Sequence, residues 1–250
     1  MRINFVAADQ IVFNSAYNRD SFLNNITTFT KLQSNLKLSD IKRKIESKCC
    51  VLYYPINFDK MPKSRPVQNC DSNELRLLWP HRWEHDKNPQ LLADVLIELN
   101  RRGIYFSISI VGEQYDERPE CFEEIYSELS SKIKHFGYLS REDYLNCLID
   151  SDVVISTADH EFYGVSMLEA VYCGCVPLVP NKLVYPEIYP VENLYNTQKQ
   201  LTKKLQNWCK NPSVFHKHRR SFFESFNFDK YSSSSLVPVF ESLLRTNVSN

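Results

Sequence analysis

The stretch from Ser151 to Pro180, SDVVISTADHEFYGVSMLEAVYCGCVPLVP, constrains the fold of this chain more than any other. Val153 to Ser156 is a short apolar, β-branched run ending in small polar residues, the pattern of a buried strand. Thr157 to Phe162 reads as a loop, and a helix follows from about Gly164 to Tyr172, closed by Gly174 just past its C-cap. Val176 to Val179 then begins a second apolar run. Strand, loop, helix, strand is the repeating unit of an open α/β sheet, where ligands bind in the crevice beyond the C-terminal ends of the strands. The first helical amides, those of Tyr163, Gly164 and Val165, lack intrahelical acceptors and carry the positive end of the helix dipole, so they suit a phosphate or a sugar oxygen. Gly164 lets a ligand approach the backbone closely. Glu161 stands just before the helix and Glu169 in its second turn, and both are expected to face one pocket. A carboxylate there accepts two hydroxyl hydrogen bonds at once, the way vicinal sugar hydroxyls are held. On its own, E-x7-E reads as an acidic helix start followed by a solvent-facing glutamate one turn later.

The rest of the chain supplies the sheet. From Glu74 onward, strands at Leu75 to Trp79, Tyr105 to Val111 (an alternating run) and Ile133 to Phe136 are interleaved with helices at Pro89 to Arg102, Glu120 to Ser130 and Arg141 to Asp150. That alternation implies a parallel, doubly wound domain with right-handed crossovers, expected over residues 74–222. A further helix is expected at Gln198 to Lys210 and a short final one at Leu236 to Leu244, within a tail of residues 223–250. Upstream, Asp9 to Ser15 reads as a strand and turn, Asn18 to Leu23 as a helix start, and Val51 to Ile56 as another strand. Residues 57–73, with Pro62 and Pro66 and no periodicity, read as an interdomain linker. Residues 1–56 therefore look like the remnant of a domain that the chain enters partway.

Charge and cysteine usage exclude several classes. Thirty basic and thirty acidic residues cancel, so any contact with nucleic acid or membrane must use a local patch. Lys31 to Lys48, carrying Lys31, Lys37, Lys42, Arg43, Lys44 and Lys48, is the plausible phosphate-backbone patch, with a solvated helix face as the alternative. No apolar run approaches a membrane span and the N-terminus has no signal-peptide pattern, so no membrane partner is expected. The eight cysteines form no C-x-x-C pair and several sit in apolar segments, reading as buried free thiols of a reducing, cytoplasmic compartment, compatible also with the nucleus. The sequons at Asn25 and Asn247 would then be unused. With five glycines and neither G-x-G-x-x-G nor a P-loop, phosphate is bound without a glycine cradle, or the cradle lies in sequence this chain lacks.

A second motif, Trp79 to Pro89 (WPHRWEHDKNP), joins the first strand of the regular domain to its first helix. Asn88 before Pro89 is an N-cap with proline at the first helical position, so Arg82 and Lys87 fall in the preceding loop. Fixed cations aimed at a departing phosphate lower the barrier to cleaving a sugar–phosphate bond by several kcal/mol. Such chemistry requires no metal. Taken alone, Arg-x4-Lys is also an ordinary pair of surface charges. A rival reading takes His81 to His85 as H-x-x-E-H, a zinc-protease signature. That signature needs its histidines on one helix face, and Pro80 with the restart at Asn88-Pro89 argues against a helix there.

Glu161 and Glu169 in E-x7-E, with an aromatic, a glycine and an aliphatic residue after the first Glu, resemble the nucleotide-sugar site of retaining GT-B glycosyltransferases of family 4. The stretches WPHRWEHDKNP, HEFYGVSMLEAVYCGCVPLVP, KLVYPEIYP and FNSAYNRDSFL together are similar to one branch of that family, the tRNA-queuosine mannosyltransferases, over nearly the whole chain. The resemblance implies an α/β fold of the GT-B type, with a complete C-terminal Rossmann-like doubly wound domain, a partial N-terminal domain and a last helix that crosses back to it. It implies a retaining hexosyltransferase that moves mannose from GDP-mannose to queuosine in the anticodon of cytosolic tRNA(Asp), with no cofactor and no metal. Carried over by position, Arg82 and Lys87 would hold the diphosphate, Glu161 the mannose hydroxyls and Glu169 the ribose. Tyr163, Gly164 and Val165 would offer amides, Tyr138 and Leu139 would line the base pocket, and His160 would touch the sugar or serve as a loop histidine. Arg82, Lys87 and Glu161 are thus the implied catalytic residues.

Two departures stand out. Family members have a longer N-terminal domain with a glycine-rich loop and a catalytic-site histidine, and Phe226-Asn227-Phe228 replaces an aromatic-Ser-Trp pattern. The expectation is weak donor binding and poor turnover by this chain alone. A non-catalytic nucleotide-sugar or tRNA-binding protein, or a family 4 enzyme with another acceptor, are the alternatives. Nothing in the sequence sets an oligomeric state.

Overall fold

The computed structural model describes residues 7–31, 39–62, 74–115 and 119–246. It divides into two compact units, Met1–Asn57 with Phe228–Asn250, and Phe58–Asn227.

The smaller unit opens with β1 (Ile11–Phe13), α1 (Ala16–Lys31), α2 (Ser39–Glu46) and β2 (Cys49–Val51). Ser15 caps α1, its hydroxyl oxygen accepting from Asn18 N at 3.0 Å. The two strands run parallel, Ile11 opposite Cys49, and Ile11 and Phe13 meet Leu23 and Ile45 in a small core. The expected strand at Val51 to Ile56 is displaced. β2 starts at Cys49, and Ile56 makes only an isolated parallel bridge to Ser232. Pro55 has no N–H to give a ladder, so the strand cannot continue through it. Of the basic run at Lys31 to Lys48, residues 32–38 lie outside the described residues.

The larger unit contains β3 (Leu75–Pro80), α3 (Pro89–Arg101), β4 (Phe106–Val111), α4 (Cys121–Leu129), β5 (Ile133–Gly137), α5 (Arg141–Ile149), β6 (Val153–Ile155), α6 (Val165–Tyr172), β7 (Val176–Pro180), α7 (Tyr185–Ile188), β8 (Leu194–Tyr195), α8 (Gln198–Lys210) and α9 (Pro212–Ser225). Its strands form one all-parallel sheet in the order β5-β4-β3-β6-β7-β8. The chain winds outward from β3 to β5, returns to β6 beside β3, and winds outward the other way. The crevice between β3 and β6 is therefore the switch point of a doubly wound sheet.

On one face Leu77, Trp79, Ile108, Ile110 and Val153 pack against Leu92 and Leu96 of α3, Phe122 of α4 and Leu201 and Leu205 of α8. On the other, Ser109 of β4 hydrogen-bonds Cys147 of α5. β4 is consequently buried at every residue, not alternately as its sequence suggests, because helices cover both faces. α6 ends in a full Schellman motif, with Gly174 (φ 105°) donating to Val171 O and Cys175 N to Ala170 O.

Among the linker residues expected at 57–73, Phe58 stacks on Tyr172 at 4.4 Å and Met61 is buried, while residues 63–73 lie outside the described residues. β8, α7 and α9 are elements the sequence reading did not contain. α10 (Ser233–Thr246) completes the smaller unit. Cys121, Cys147, Cys173 and Cys175 are buried, and Cys49, Cys50 and Cys209 half-buried, all as free thiols. Burial pushes the Cys173 thiol up to about 12.

Candidate functional site

Two loops at the C-terminal ends of β3 and β6 make the site. In the first, side chains alternate inward and outward. Trp79 and His81 pack edge to face, and Trp83 stacks on Phe122 at 3.9 Å. Trp83 N donates to Glu113 O at 2.9 Å, drawing the loop against the end of β4. Gly112 is required there, because a Cβ would sit 1.9 Å from His81 O. With His81 and Trp83 turned in, Arg82 turns out; about half of its side chain is exposed, and it pairs with Glu84 at 3.0 Å.

The loop closes with a 3-10 turn, His85–Lys87, and Asn88 at φ 50°, whose side-chain oxygen accepts from Leu91 N at 3.2 Å. Asparagine is among the few residues that tolerate a left-handed backbone, and proline next to it starts α3. The sequence reading of this cap holds. The H-x-x-E-H spacing falls on the loop after β3 and one 3-10 turn, and so lacks the helical face that a zinc site of that class needs.

Lys87 is the buried cation of the site. Its Nζ donates to His160 O at 2.8 Å and lies 3.1 Å from Asp86 Oδ2 and 3.7 Å from Glu161 Oε2. The two loops are stitched together around it. Asp159 N and His160 N donate to Asp86 O, Thr157 Oγ1 donates to Lys87 O at 2.7 Å, and Trp79 Nε1 donates to Thr157 Oγ1 at 3.0 Å. Beneath the second loop, Ser156 shares a 2.6 Å hydrogen bond with Tyr185, and Tyr195 donates to Ser156 O. Burial, and then the nearby Lys87 charge, lower His81 to about 3, so its ring is neutral at physiological pH.

The second loop differs from expectation in one respect. Glu161 Oε1 itself accepts from Phe162 N, Tyr163 N and Gly164 N, at 3.1, 3.3 and 3.0 Å. The amides of Tyr163 and Gly164, read from sequence as bare, are thus covered by the carboxylate that precedes them. The carboxylate folds forward over the turn that leads into α6, a local side-chain-to-backbone closure, and α6 itself has no side-chain cap at Gly164. Gly164 stands at the N-cap with φ 80°, and Val165 is the first helical residue and exposed.

Glu169 belongs to a second cluster. Its carboxylate accepts from Arg141 Nη2 at 2.7 Å and from the Tyr144 hydroxyl at 3.1 Å, whereas Glu161 faces Lys87. The two glutamates therefore have disjoint partners, Glu161 on its own loop and Lys87, Glu169 on Arg141 and Tyr144. Burial and the neighbouring Glu169 raise the Tyr144 hydroxyl well above its ordinary value, keeping it a donor. Tyr138 is largely exposed and Leu139 half-buried, in the loop between β5 and α5 that Ser140 caps by accepting from Asp143 N. Arg141 follows directly, which ties that loop to Glu169.

The structure thus groups Lys87, His160 and Glu161, with Arg82 at the outer rim of the first loop. Sequence reasoning missed Asp86, Arg141 and Tyr144. Asp86, between His85 and Lys87, was legible only as part of a charged loop, and the other two lie on a helix read for periodicity alone.

A doubly wound sheet with a buried lysine and a carboxylate at its switch point is suited to an anionic ligand that also carries hydroxyls. Residues 60–224 match the family described as Glycosyl transferases group 1, to which the chain belongs. A glycosyltransferase from Rickettsia africae superposes with a TM-score of 0.70 at 18% identity, over 98% of this chain and 65% of that one. Anabaena Alr3699/HepE in complex with UDP and glucose superposes with a TM-score of 0.68 at 16% identity, over 97% and 64%. These likenesses establish the fold.

Residues 2–56 match the tRNA-queuosine alpha-mannosyltransferase N-terminal family. The chain is 50% identical over 254 residues to the tRNA-queuosine alpha-mannosyltransferase of Drosophila melanogaster, across 99% of its own length and 67% of the relative's. It is a member of the tRNA-queuosine alpha-mannosyltransferase family. It spans about two thirds of the length of these relatives. Among the described residues, no helix is long and apolar enough to cross a membrane.

Proposed function

We propose that this chain binds GDP-mannose over the β3 and β6 loops and transfers its mannose, with retention of configuration, to queuosine in a tRNA anticodon. The observation that carries this reading is the Lys87 ammonium held by His160 O and Asp86, 3.7 Å from the Glu161 carboxylate, in a chain 50% identical to a tRNA-queuosine alpha-mannosyltransferase. When the glycosidic C–O bond to the diphosphate breaks, negative charge grows on the departing β-phosphate. Lys87 is already desolvated and positioned, so it stabilises that charge without reorganising. Arg82, exposed at the rim, adds a forked donor to the same phosphates. Each charge-assisted contact contributes about 1.5–3 kcal/mol, which is why these residues carry out the step without calling on a metal.

Glu161 receives the mannose hydroxyls. Its four lone-pair sites are partly engaged by three backbone amides, so the incoming hydroxyls bind a carboxylate whose orientation is already fixed. Glu169, held by Arg141 and Tyr144, keeps acceptor capacity for the ribose, and Tyr138 and Leu139 flank the guanine. Calorimetric titration with GDP and GDP-mannose beside a mannosylation assay on queuosine-containing tRNA tests the reading. Glu161→Ala is expected to abolish the preference for GDP-mannose over GDP while leaving GDP bound. Unchanged affinity for the sugar nucleotide would overturn it, and binding without turnover would make the chain a nucleotide-sugar-binding protein.

A further inference from the structure

Between Asn193 and Phe223 the chain carries Lys199, Lys203, Lys204, Lys210, Lys217, Arg219 and Arg220, two histidines and no carboxylate, in a molecule of zero net charge. The structure sorts these cations. Lys204 turns to Glu192 O and Arg219 is buried against Asp152. On α8 the apolar residues Leu201, Leu205 and Trp208 are buried in the core, which turns Lys199, Lys203 and Lys210 to the opposite side. At about 100° per residue these three fall within about 40° of one another, and they form a stripe about 16 Å long. All three are exposed, with no carboxylate in ion-pair reach among the described residues.

The stripe has a wall and a starting point. Arg102, at the end of α3, donates to Gln206 Oε1 at 2.7 Å. A groove of about 450 Å³ between α3 and α8 is lined by Glu98, Arg102, Gln198, Lys199, Thr202 and Lys203. Its single carboxylate, Glu98, is neutralised by Arg102 and accepts from Thr202 Oγ1. At the other end, a smaller cavity of about 170 Å³ joins Thr197 and Gln198 to Asn181, Lys182 and Thr157. Thr157 donates to the backbone oxygen of Lys87, so the row of cations begins beside the site's own loops.

We propose that this face of α8, with Arg102, is a track for the phosphate backbone of an RNA acceptor. A single row of point cations along a polar groove fits a polyanionic strand. No exposed large hydrophobic residue lies on α8, so the face lacks the apolar anchors that a membrane surface or a protein partner would need. The run from Lys31 to Lys48, the patch expected from sequence, has Asp40 and Glu46 among its cations and matches the chemistry less well. The inference rests on the reading of the acceptor as RNA, but it is tested by binding rather than by turnover.

The experiment measures fluorescence anisotropy of a labelled queuosine-containing tRNA and its unmodified transcript between 50 and 200 mM salt. The 250-residue chain is compared with K199E/K203E/K210E and with K60E/K134E/K230E, which has the same net charge. The stripe variant should bind both RNAs at least about tenfold more weakly. Its slope of log affinity against log salt should be shallower by about two to three, since each phosphate contact contributes about 0.7–0.9. GDP affinity and the thermal midpoint should match the parent, and the control variant should keep most of its RNA affinity. Equal weakening of both variants, or unchanged RNA binding by the stripe variant, overturns the track. Lysine-dependent RNA binding by a chain that cannot mannosylate would support the track while sinking the proposed activity.

Discussion

Lys87 keeps 10% of its side chain exposed and has three oxygens around its ammonium, so truncation acts twice. Lys87→Ala removes a donor contact and also leaves Asp86 in a half-buried site without its cation. GDP affinity should fall about 10- to 100-fold by calorimetry, with about 1–3 kcal/mol lost from urea-unfolding stability. Lys87→Arg should not restore binding, because a planar fork cannot occupy the site of a compact ammonium. His81 gives a pH prediction. Its folded-state value of about 3 lies below its ordinary 6.5, so between those limits the unfolded chain binds the extra proton and stability rises with pH. The contribution is complete above about pH 6.5 and is lost as pH falls toward 3. Between pH 7.5 and 5 the loss should be about 2 kcal/mol in denaturant titrations, and His81→Asn should flatten that segment of the curve.

The site loops owe their shape to a few positions where the backbone comes close to another element. Gly112 ends β4 where the first loop crosses it, and a Cβ there would meet His81 O at 1.9 Å. Backbone must shift to admit one, so Gly112→Ala should cost on the order of 3 kcal/mol and move Arg82, read as a lower melting temperature together with weaker GDP binding. Local signals of this kind were legible in sequence. Asn88-Pro89 announced the start of α3 and Gly174 the end of α6, because capping depends on neighbours within four residues. β8 was not legible. A two-residue strand carries no period, and it exists because β7 offers it an edge. The alternation read into β4 failed because serines at 107 and 109 mimic a solvent face while both are buried, Ser109 against Cys147 of α5.

Across the whole molecule, the larger unit is tied by one buried carboxylate. Asp152, at the start of β6, accepts from Arg76 N, Nε and Nη2 of β3, at 3.0, 2.9 and 2.7 Å, and stands 3.9 Å from Arg219 of α9. Asp152→Ala removes the buried carboxylate that Arg76 and Arg219 share and should cost about 3–5 kcal/mol in global unfolding. Donor binding measured well below the new melting temperature should be unchanged, since the cluster sits at the N-terminal ends of β3 and β6, opposite the site loops. The sequence by itself determined the doubly wound α/β class, the order of its principal elements and the two loops that carry Arg82, Lys87 and Glu161. Those features follow from periodicity and capping, which act over a few residues. Only the tertiary structure decided what each charge meets: Lys87 with His160, 73 residues away, Glu169 with Arg141, 28 away, and Glu161 on the amides of the turn that follows it. Such partners depend on strand order and loop packing, which distribute side chains among neighbours that no local pattern names.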